Sequence, residues 1–294
     1  MKKINGIFYI MFSAASFGIM PILAKIAYND GANAVTVLVF RFFLAAVILF
    51  PYILIKKLNL KLSKKQFVHI FIYGAINNSA TCLTLFLSYN YMSVGMATTM
   101  HFIYPVVVTV LAVLIYKEKL YKGKVIALLC SVIGIYCLVG GSHANIDIKG
   151  VILAVSSGIF YGLYIIGVGH SEIKNMDTFL ATFYISVFVS SILFIYGQVT
   201  NEFVLNIKLC SFLCMLGIAF ISTVVALVTF LKGVQIIGSS NAAVLSTLEP
   251  IVSMILGIIV LKESMTITIV IGSIMILISV IVITLCEKKR IEKV

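Results

Sequence analysis

The sequence predicts an all-α, polytopic membrane protein with ten transmembrane helices arranged as two inverted five-helix repeats. Three observations support this prediction: a scarcity of charge, a series of apolar segments, and a similarity between the two halves of the chain. Of the 294 residues, 62% are hydrophobic and only 11% are charged, whereas soluble domains are about a quarter charged. Because so few polar side chains cannot cover a soluble fold, we expect the chain to reside in a bilayer.

Ten apolar segments follow one another along the chain, and each is long enough as a helix to cross about 30 Å of hydrocarbon. They lie near residues 5–28, 32–55, 66–91, 94–116, 122–141, 148–169, 177–198, 208–232, 238–261 and 265–286. The ten-residue alternation typical of barrel strands is absent from them. The first segment exceeds the apolar stretch of a signal peptide, so we assign it as the first transmembrane helix.

Lys and Arg are distributed unevenly between alternate loops. The loops at 56–65 and 117–124 are rich in lysine, whereas the loops of the opposite side hold only Lys149, Lys208 and Lys262. Positive loops are retained in the cytoplasm. We therefore predict a multi-pass protein of the plasma membrane, the inner membrane of a bacterial cell, with both termini cytoplasmic. Since topology accounts for the net charge of +12, no nucleic-acid partner is expected.

The two halves of the chain share a pattern of proline and glutamate. HFIYPVVVTVLAVLIYKEKL at 101–120 aligns with STLEPIVSMILGIIVLKESM at 246–265, an offset of 145 residues. The alignment pairs Pro105 with Pro250 and Glu118 with Glu263. A second alignment, of GIFYIMFSAASFG at 6–18 with GVILAVSSGIFYG at 150–162, has an offset of 144. The similarity therefore extends to the front of each half.

Each repeat holds five spans, and this odd number forces the second repeat to enter the membrane upside down. Such inverted repeats are typical of transporters with a binding site near the midplane, at the interface between the repeats. We predict a first repeat at 1–141, an outer linker at 142–147, and a second repeat with a basic cytoplasmic tail at 148–294.

The prolines predict two broken helices near the middle of the bilayer. Pro250 leaves the carbonyl of Ser246 without its helical partner, and Pro105 does the same to His101. Interrupted backbone at this depth is tolerated only where protein or a water-filled cavity satisfies the freed groups. The side chains of Tyr104, Ser246 and Glu249 share a face with these carbonyls. This pattern favours a polar cavity wall, although a kinked helix with a hydrogen-bonded glutamate would show the same sequence.

Glu249 is the only acidic residue deep in a predicted span. A carboxylate at a helix centre costs about 2.5 to 3.5 kcal/mol on insertion scales, and intramembrane ionisable groups are candidates for function. We expect Glu249 to act in proton coupling or conformational switching, with substrate contact and an architectural role as alternatives. His101, the only histidine deep in a span, is a candidate partner of Glu249 across the pseudo-two-fold axis, or an ordinary interhelical hydrogen-bonding residue.

Other polar residues within spans complete the predicted site. Arg41 either receives a substrate carboxylate or supports the fold, because its charge cannot be discharged. The remaining candidates, each of which lines a cavity or mediates a helix contact, are Asn77, Asn78, Ser13, Ser157, Tyr161 and Tyr164.

No feature of the sequence indicates catalysis or a bound cofactor. The six cysteines lie in or beside apolar runs without metal-ligand spacing. Metalloprotease, P-loop and nucleophile-elbow motifs are absent. We expect a protein that is not an enzyme and holds neither cofactor nor metal.

Several stretches of the chain resemble the EamA-type transporters of the drug/metabolite transporter superfamily. They are SFGIMPILAKIA at 16–27, SVGMATTMHFIYPVVVTVLAVLIYKEKL at 93–120, and LKGVQIIGSSNAAVLSTLEPIVSMILGIIVLKE at 231–263. The chain departs from the family where Phe17 replaces a frequent tryptophan before Gly18. The resemblance implies a ten-helix bundle around a central cavity that moves small metabolites, often amino acids, across the plasma membrane.

The sequence thus predicts a secondary transporter that exports a small amphipathic metabolite, such as an amino acid, by alternating access. Protons are the candidate coupling ion, membrane lipids surround the chain, and both a monomer and a homodimer are compatible with the sequence. Two alternatives stay open: a lipid or polyprenyl-carrier flippase, and a membrane scaffold or receptor without transport activity.

Overall fold

The computed structural model describes residues 2–261 without 89, 92–93 and 140–146, together with scattered positions from 271 to 285. Besides a 3₁₀ turn at Glu172–Asn175, nine helices lie within the described part of 2–261. They are α1 (Lys3–Asn29), α2 (Ala34–Ile55), α3 (Lys64–Ser88), α4 (Val94–His101 and Tyr104–Leu114), α5 (Lys122–Val139), α6 (Ile148–His170), α7 (Thr178–Val199), α8 (Leu209–Ile237) and α9 (Ser239–Leu245 and Glu249–Leu261). No strand occurs among these residues. The all-α class is confirmed, while most of the predicted tenth segment lies outside the described residues.

Six helices, α1, α2, α3, α6, α7 and α8, are long and apolar enough to cross a membrane, and the second half of α4 is a shorter apolar helix. Large apolar side chains cover their outward faces. Phe8, Ile55, Leu114 and Val199 are each more than 65% exposed. In a bilayer such side chains contact acyl chains, so this exposure is consistent with a lipid-facing belt.

Short polar side chains begin several of the helices. The Asn33 side chain accepts a hydrogen bond from the backbone N–H of Thr36 at 2.8 Å and begins α2. Ser63 and Gln66 form a reciprocal capping box at the start of α3. Asp177 accepts from two backbone N–H groups of α7. Because the first N–H groups of a helix have no helical partner, these caps fix where each helix starts.

The interruptions predicted at the two prolines are present. The first half of α4 ends at His101, and the second half begins at Tyr104. In α9 a 3₁₀ turn at Ser246–Leu248 separates the first half from the half that begins at Glu249. Both breaks follow from the lost proline N–H and the steric pressure of its ring on the preceding turn.

Two further irregularities were not predicted. Helix α3 contains a π-helical stretch at Ile70–Ile76, and α8 contains one at Phe220–Val225. The third and eighth predicted spans, which correspond to each other in the two repeats, thus each contain a stretch with wider helical turns. A π-helical stretch leaves carbonyl groups available for other donors and often occurs at functional sites.

The helices pack crosswise between the two repeats. A Cβ atom on Gly18 of α1 would lie 2.7 Å from Val252 and 3.0 Å from the Glu249 carbonyl oxygen of α9. On the other side, a Cβ atom on Gly162 of α6 would lie 2.7 Å from Val107 and 3.7 Å from the Tyr104 carbonyl oxygen of α4. The offsets of 144 and 145 residues relate these two contacts. Each broken helix therefore packs against the first helix of the other repeat.

We expect Gly158→Ala to destabilise the fold by about 1 to 3 kcal/mol, the usual range for overpacking. The new Cβ would lie 2.5 Å from the carbonyl oxygen of His101 and 2.6 Å from a methyl carbon of Ile103, where α6 meets the break in α4. Thermal unfolding of the purified protein in detergent measures the effect. Gly217→Ala is the matched control, because only the flexible end of Leu23 lies near that position, at 3.2 Å. Equal stability of the two variants would contradict this packing.

Candidate functional site

The carboxylate of Glu249 lies at the break of α9, where the two repeats meet. Its side chain is half-buried, whereas Tyr104 of α4 and Ser246 of the preceding turn are buried. Among the described residues no hydrogen bond reaches this carboxylate, although it lies within electrostatic range of Arg41, Tyr104 and Tyr161. A partly accessible acidic side chain with buried neighbours is expected where it borders an internal opening.

Arg41 of α2 is buried and held by the π-helical stretch of α8. Its Nε donates to the hydroxyl of Thr223 at 2.8 Å, and its Nη2 donates to the carbonyl of Ser222 at 3.3 Å. Its guanidinium also lies 4.7 Å from the ring centroid of Phe42. Two of the donors that would receive a substrate carboxylate are therefore engaged by protein, as expected for support of the fold.

An aromatic cluster lies beside Glu249. The ring of Tyr161 packs edge-on against Tyr104 at 4.8 Å between centroids, and stacks on Tyr164 at 5.7 Å. Phe230 of α8 lies 6.4 Å from both Tyr161 and Tyr164. The hydroxyl groups of Tyr104 and Tyr164 are buried without a hydrogen-bond partner among the described residues. Buried tyrosine hydroxyls normally find a partner, so these two hold hydrogen-bonding capacity that the described residues do not use.

His101 bonds to Ser157 rather than to the predicted partner Glu249. Its Nδ1 lies 2.9 Å from the Ser157 hydroxyl, which donates its one hydrogen to the carbonyl of Ala154 at 2.6 Å. The serine can only accept from the imidazole, so Nδ1 carries a proton. This bond fits the interhelical alternative for His101, and the pairing with Glu249 stays a prediction.

The other predicted site residues differ in whether their polar atoms already have hydrogen-bond partners. Ser246 donates to the carbonyl of Ala242 at 2.9 Å, and the Tyr104 hydroxyl approaches it without reaching hydrogen-bond geometry. The amide nitrogen of Asn78 is buried without a hydrogen-bond partner among the described residues. By contrast, Asn77 is half-buried directly after the π-helical stretch of α3. Ser13 donates to the carbonyl of Ala226 at 2.8 Å, which joins α1 to α8.

Sequence reasoning missed two members of the site. Phe230 completes the aromatic cluster, and Cys82 lies within electrostatic range of Tyr161, Tyr164 and Arg41. Neither residue carries a signal in the sequence, because a phenylalanine or a cysteine in an apolar helix has the same pattern whether it faces a site or the core. No cluster of potential metal ligands occurs among the described residues.

Polar contacts link the two repeats at both ends of the bundle. At one end Asp30 accepts hydrogen bonds from the hydroxyl and the backbone N–H of Ser211, at 2.9 and 3.1 Å, and faces Lys208. The hydrogen bond from the Ser211 side chain holds the pKa of Asp30 below its usual value. At the other end Glu118 contacts Lys124 at 3.2 Å and His170 at 3.3 Å.

A groove between α2 and α7 lies apart from the site. It has a volume of about 450 Å³ and is lined by Val39, Phe40, Phe43, Ser190, Ser191, Phe194, Gln198, Phe203 and Leu205. Phe43 and Phe194 are exposed on the outward surface of the bundle. The groove therefore faces lipid and holds no cationic side chain.

The long apolar helices define a multi-pass integral membrane protein. The chain belongs to the EamA-like transporter family, whose profile matches residues 4–140 and 148–285. The two matches coincide with the two halves that share the proline and glutamate pattern.

Related proteins carry the same general description. An uncharacterized transporter of Archaeoglobus fulgidus is 32% identical over 68% of this chain and 66% of its own length. An uncharacterized transporter of Clostridium kluyveri is 24% identical over 98% of this chain and 95% of its own length. A crystal structure has a TM-score of 0.81 over 97% of this chain and 98% of that chain; at 13% identity it shows a shared fold alone.

Proposed function

We propose that the protein is a secondary carrier that exports a small amphipathic metabolite with a protonated amine, such as an amino acid, by alternating access coupled to protons. The observation that carries this proposal is the partly accessible carboxylate of Glu249 at the break of α9. This carboxylate has no hydrogen bond among the described residues and lies beside the aromatic cluster, whose rings come from α4, α6 and α8.

The acidic and aromatic groups at the site support an amine as the part of the substrate that the protein recognises. Two donors of Arg41 are engaged by Thr223 and Ser222. Beside the aromatic cluster lie the carboxylate of Glu249 and the ring faces of the tyrosines, and Arg41 keeps three further N–H groups. Carboxylates and aromatic faces both attract ammonium groups. An apolar or aromatic remainder of the substrate would pack against the rings.

Counterflow in reconstituted vesicles tests the proposal. Vesicles preloaded with an amino acid receive, on the outside, the labelled amino acid, the amine that lacks its carboxyl group, or the acid that lacks its amino group. We expect exchange of the amino acid and competition by the amine, with no competition by the acid. Competition by the acid alone would contradict the assignment, and exchange of no member of an amino-acid panel would contradict the substrate class.

The lipid-facing groove between α2 and α7 makes a flippase the second candidate. Its lining of Phe40, Phe43, Phe194 and neighbouring residues is suited to an acyl or polyprenyl chain. A phosphate head group would also need cations, and the groove lining contains none. Scrambling of a labelled lipid in the same vesicles, without any counterflow, would favour the flippase.

A further inference from the structure

The residues around Glu118 and His170 connect the two repeats at one end of the bundle. Glu118 follows α4, while His170 is the last residue of α6. The carboxylate oxygens of Glu118 lie 3.3 Å from Nε2 of His170 and 3.2 Å from Nζ of Lys124, which is only 3% exposed. The ring of Tyr116 stacks on His170 with centroids 3.8 Å apart. We call these four residues the latch.

Further contacts between the repeats surround the latch. The Tyr121 hydroxyl donates to Asn241 at the start of α9, at 3.4 Å. The backbone N–H of Glu172 donates to Nδ1 of His69, at 3.2 Å. The loop charges predict that this end of the bundle faces the cytoplasm. A carrier that opens there must separate the two repeats and break these contacts.

Both ring nitrogens of His170 face acceptors. Nδ1 lies 3.1 Å from the carbonyl oxygen of Ile166, which can only accept, and Nε2 faces the Glu118 carboxylate. A neutral imidazole has one N–H, so it can satisfy only one of the two. The Ser239 hydroxyl, 3.4 Å from Nδ1, can accept or donate and does not remove this requirement. Only the imidazolium donates to both acceptors, and the stacked ring of Tyr116 also favours a cation.

We propose that the latch is the gate on the predicted cytoplasmic side and that proton binding to His170 holds it closed. This inference rests on the proposed alternating access and adds the regulation of access to its site. The groups that face His170 are the carboxylate of Glu118, the ammonium of Lys124 behind it, and the phenol ring of Tyr116. Glu172 lies two residues along the chain, and its backbone is held by His69 of α3.

Glu118 keeps its charge over the range in which imidazole titrates. The hydrogen bond from His170, together with the charge of Lys124, holds the pKa of Glu118 below its usual value, against the effect of partial burial. A carboxylate whose pKa is lowered in the folded state stabilises that state fully at any pH above its ordinary pKa. This stabilisation is lost only as the pH falls through the lowered pKa. The contacts of His170 with two acceptors require the imidazolium, so the gate is expected to loosen as the pH rises.

A cysteine placed behind the latch reports its opening without any transport. Ser240, next to the latch contact Ser239 on α9, is 1% exposed, so a Ser240→Cys reporter in a background without the native cysteines is shielded when the latch is closed. A membrane-impermeant maleimide is applied from the predicted cytoplasmic side at pH 6 and pH 8. Rates are normalised to Lys61→Cys in an exposed loop of the same side, which corrects for the pH dependence of thiol chemistry.

We expect the normalised rate to be about tenfold lower at pH 6 than at pH 8, as for loss of a charge-assisted hydrogen bond. His170→Gln should remove this difference and react at the faster rate at both values. His69→Gln is the matched control and should retain the difference, because Nδ1 of His69 accepts from a backbone N–H and donates to no acidic partner there. Equal rates in the parent, or the same pH ratio in His170→Gln, would overturn the proposal.

Hydrogen exchange of residues 115–124 provides a second measurement that needs no reporter cysteine. After correction for intrinsic exchange, the unmodified protein should be better protected at pH 6 than at pH 8, and His170→Gln should show no such difference. Protection that is independent of pH in the unmodified protein would also overturn the proposal. A pH-dependent latch in a protein that exchanges no amino acid would refute the proposed substrate class and leave the gate standing.

Discussion

Glu249→Gln is expected to abolish proton-driven accumulation, while exchange persists at saturating substrate with weaker binding, because the substrate amine loses the carboxylate but keeps the aromatic rings. Glutamine has nearly the shape of glutamate but cannot bind and release a proton, so the half-buried side chain at the break of α9 would stay neutral in both states of the carrier. A gradient of one pH unit supports about a tenfold concentration ratio per coupled proton, since one pH unit corresponds to 1.36 kcal/mol. We therefore expect about tenfold accumulation for the parent and none for the variant.

The measurement compares accumulation with counterflow in the same proteoliposomes. Counterflow needs only the movement of loaded carrier, so it detects a variant that folds and alternates without coupling. Ser253→Ala serves as the control on the same half-helix, because that hydroxyl donates to the carbonyl of Gly18 at 3.0 Å and carries no charge. If Glu249→Gln accumulated substrate as well as the parent does, Glu249 would have no part in coupling and the architectural interpretation would stand.

Arg41→Gln is expected to destabilise the protein by about 1.5 to 3 kcal/mol, the range for loss of a hydrogen bond made by a charged group. Glutamine cannot reach both Thr223 and Ser222, and the nearby carboxylate of Glu249 loses its compensating charge. Unfolding of the purified protein in mixed micelles measures the loss. Lys232→Gln is the control, because Lys232 is an exposed cation of the neighbouring helix that lies over the ring of Tyr9.

A double variant separates support of the fold from substrate binding. If Arg41 compensates the charge of Glu249, Arg41→Gln with Glu249→Gln should be more stable than Arg41→Gln alone. If Arg41 instead receives a substrate carboxylate, Arg41→Lys should keep its stability and weaken exchange of the amino acid relative to the amine without a carboxyl group. This second result would contradict the role assigned from the contacts with α8.

The fold could be predicted to the level of spans and breaks because each follows from local chemistry. Hydrophobic length fixes where a helix can cross the bilayer, and proline fixes where α4 and α9 must be interrupted. The offset of 145 residues anticipated that Tyr104 and Glu249 occupy corresponding places, and the contacts of Gly162 and Gly18 place them so. The π-helical stretches of α3 and α8 carry no comparable signal, because an extra residue in a helical turn is stabilised by its neighbours in space.

Residues of the candidate site could be predicted only where a polar side chain stands out in an apolar span. Arg41, His101 and Glu249 could be identified because an ionisable group in an apolar span is costly. Their hydrogen-bond partners could not be identified, because a single sequence does not indicate which distant residues lie close together in the fold. Arg41 bonds across 182 residues to Thr223, and His101 bonds across 56 residues to Ser157.

The sequence by itself thus determined an all-helical, lipid-embedded chain of two similar halves, with charge placed at a few interior points. Only the tertiary structure decided which donors are already satisfied, which hydroxyls are free, and that His170 lies between two acceptors. The physical reason is that burial is a property of residue type and local pattern, whereas hydrogen-bond partnership depends on how separate helices approach one another.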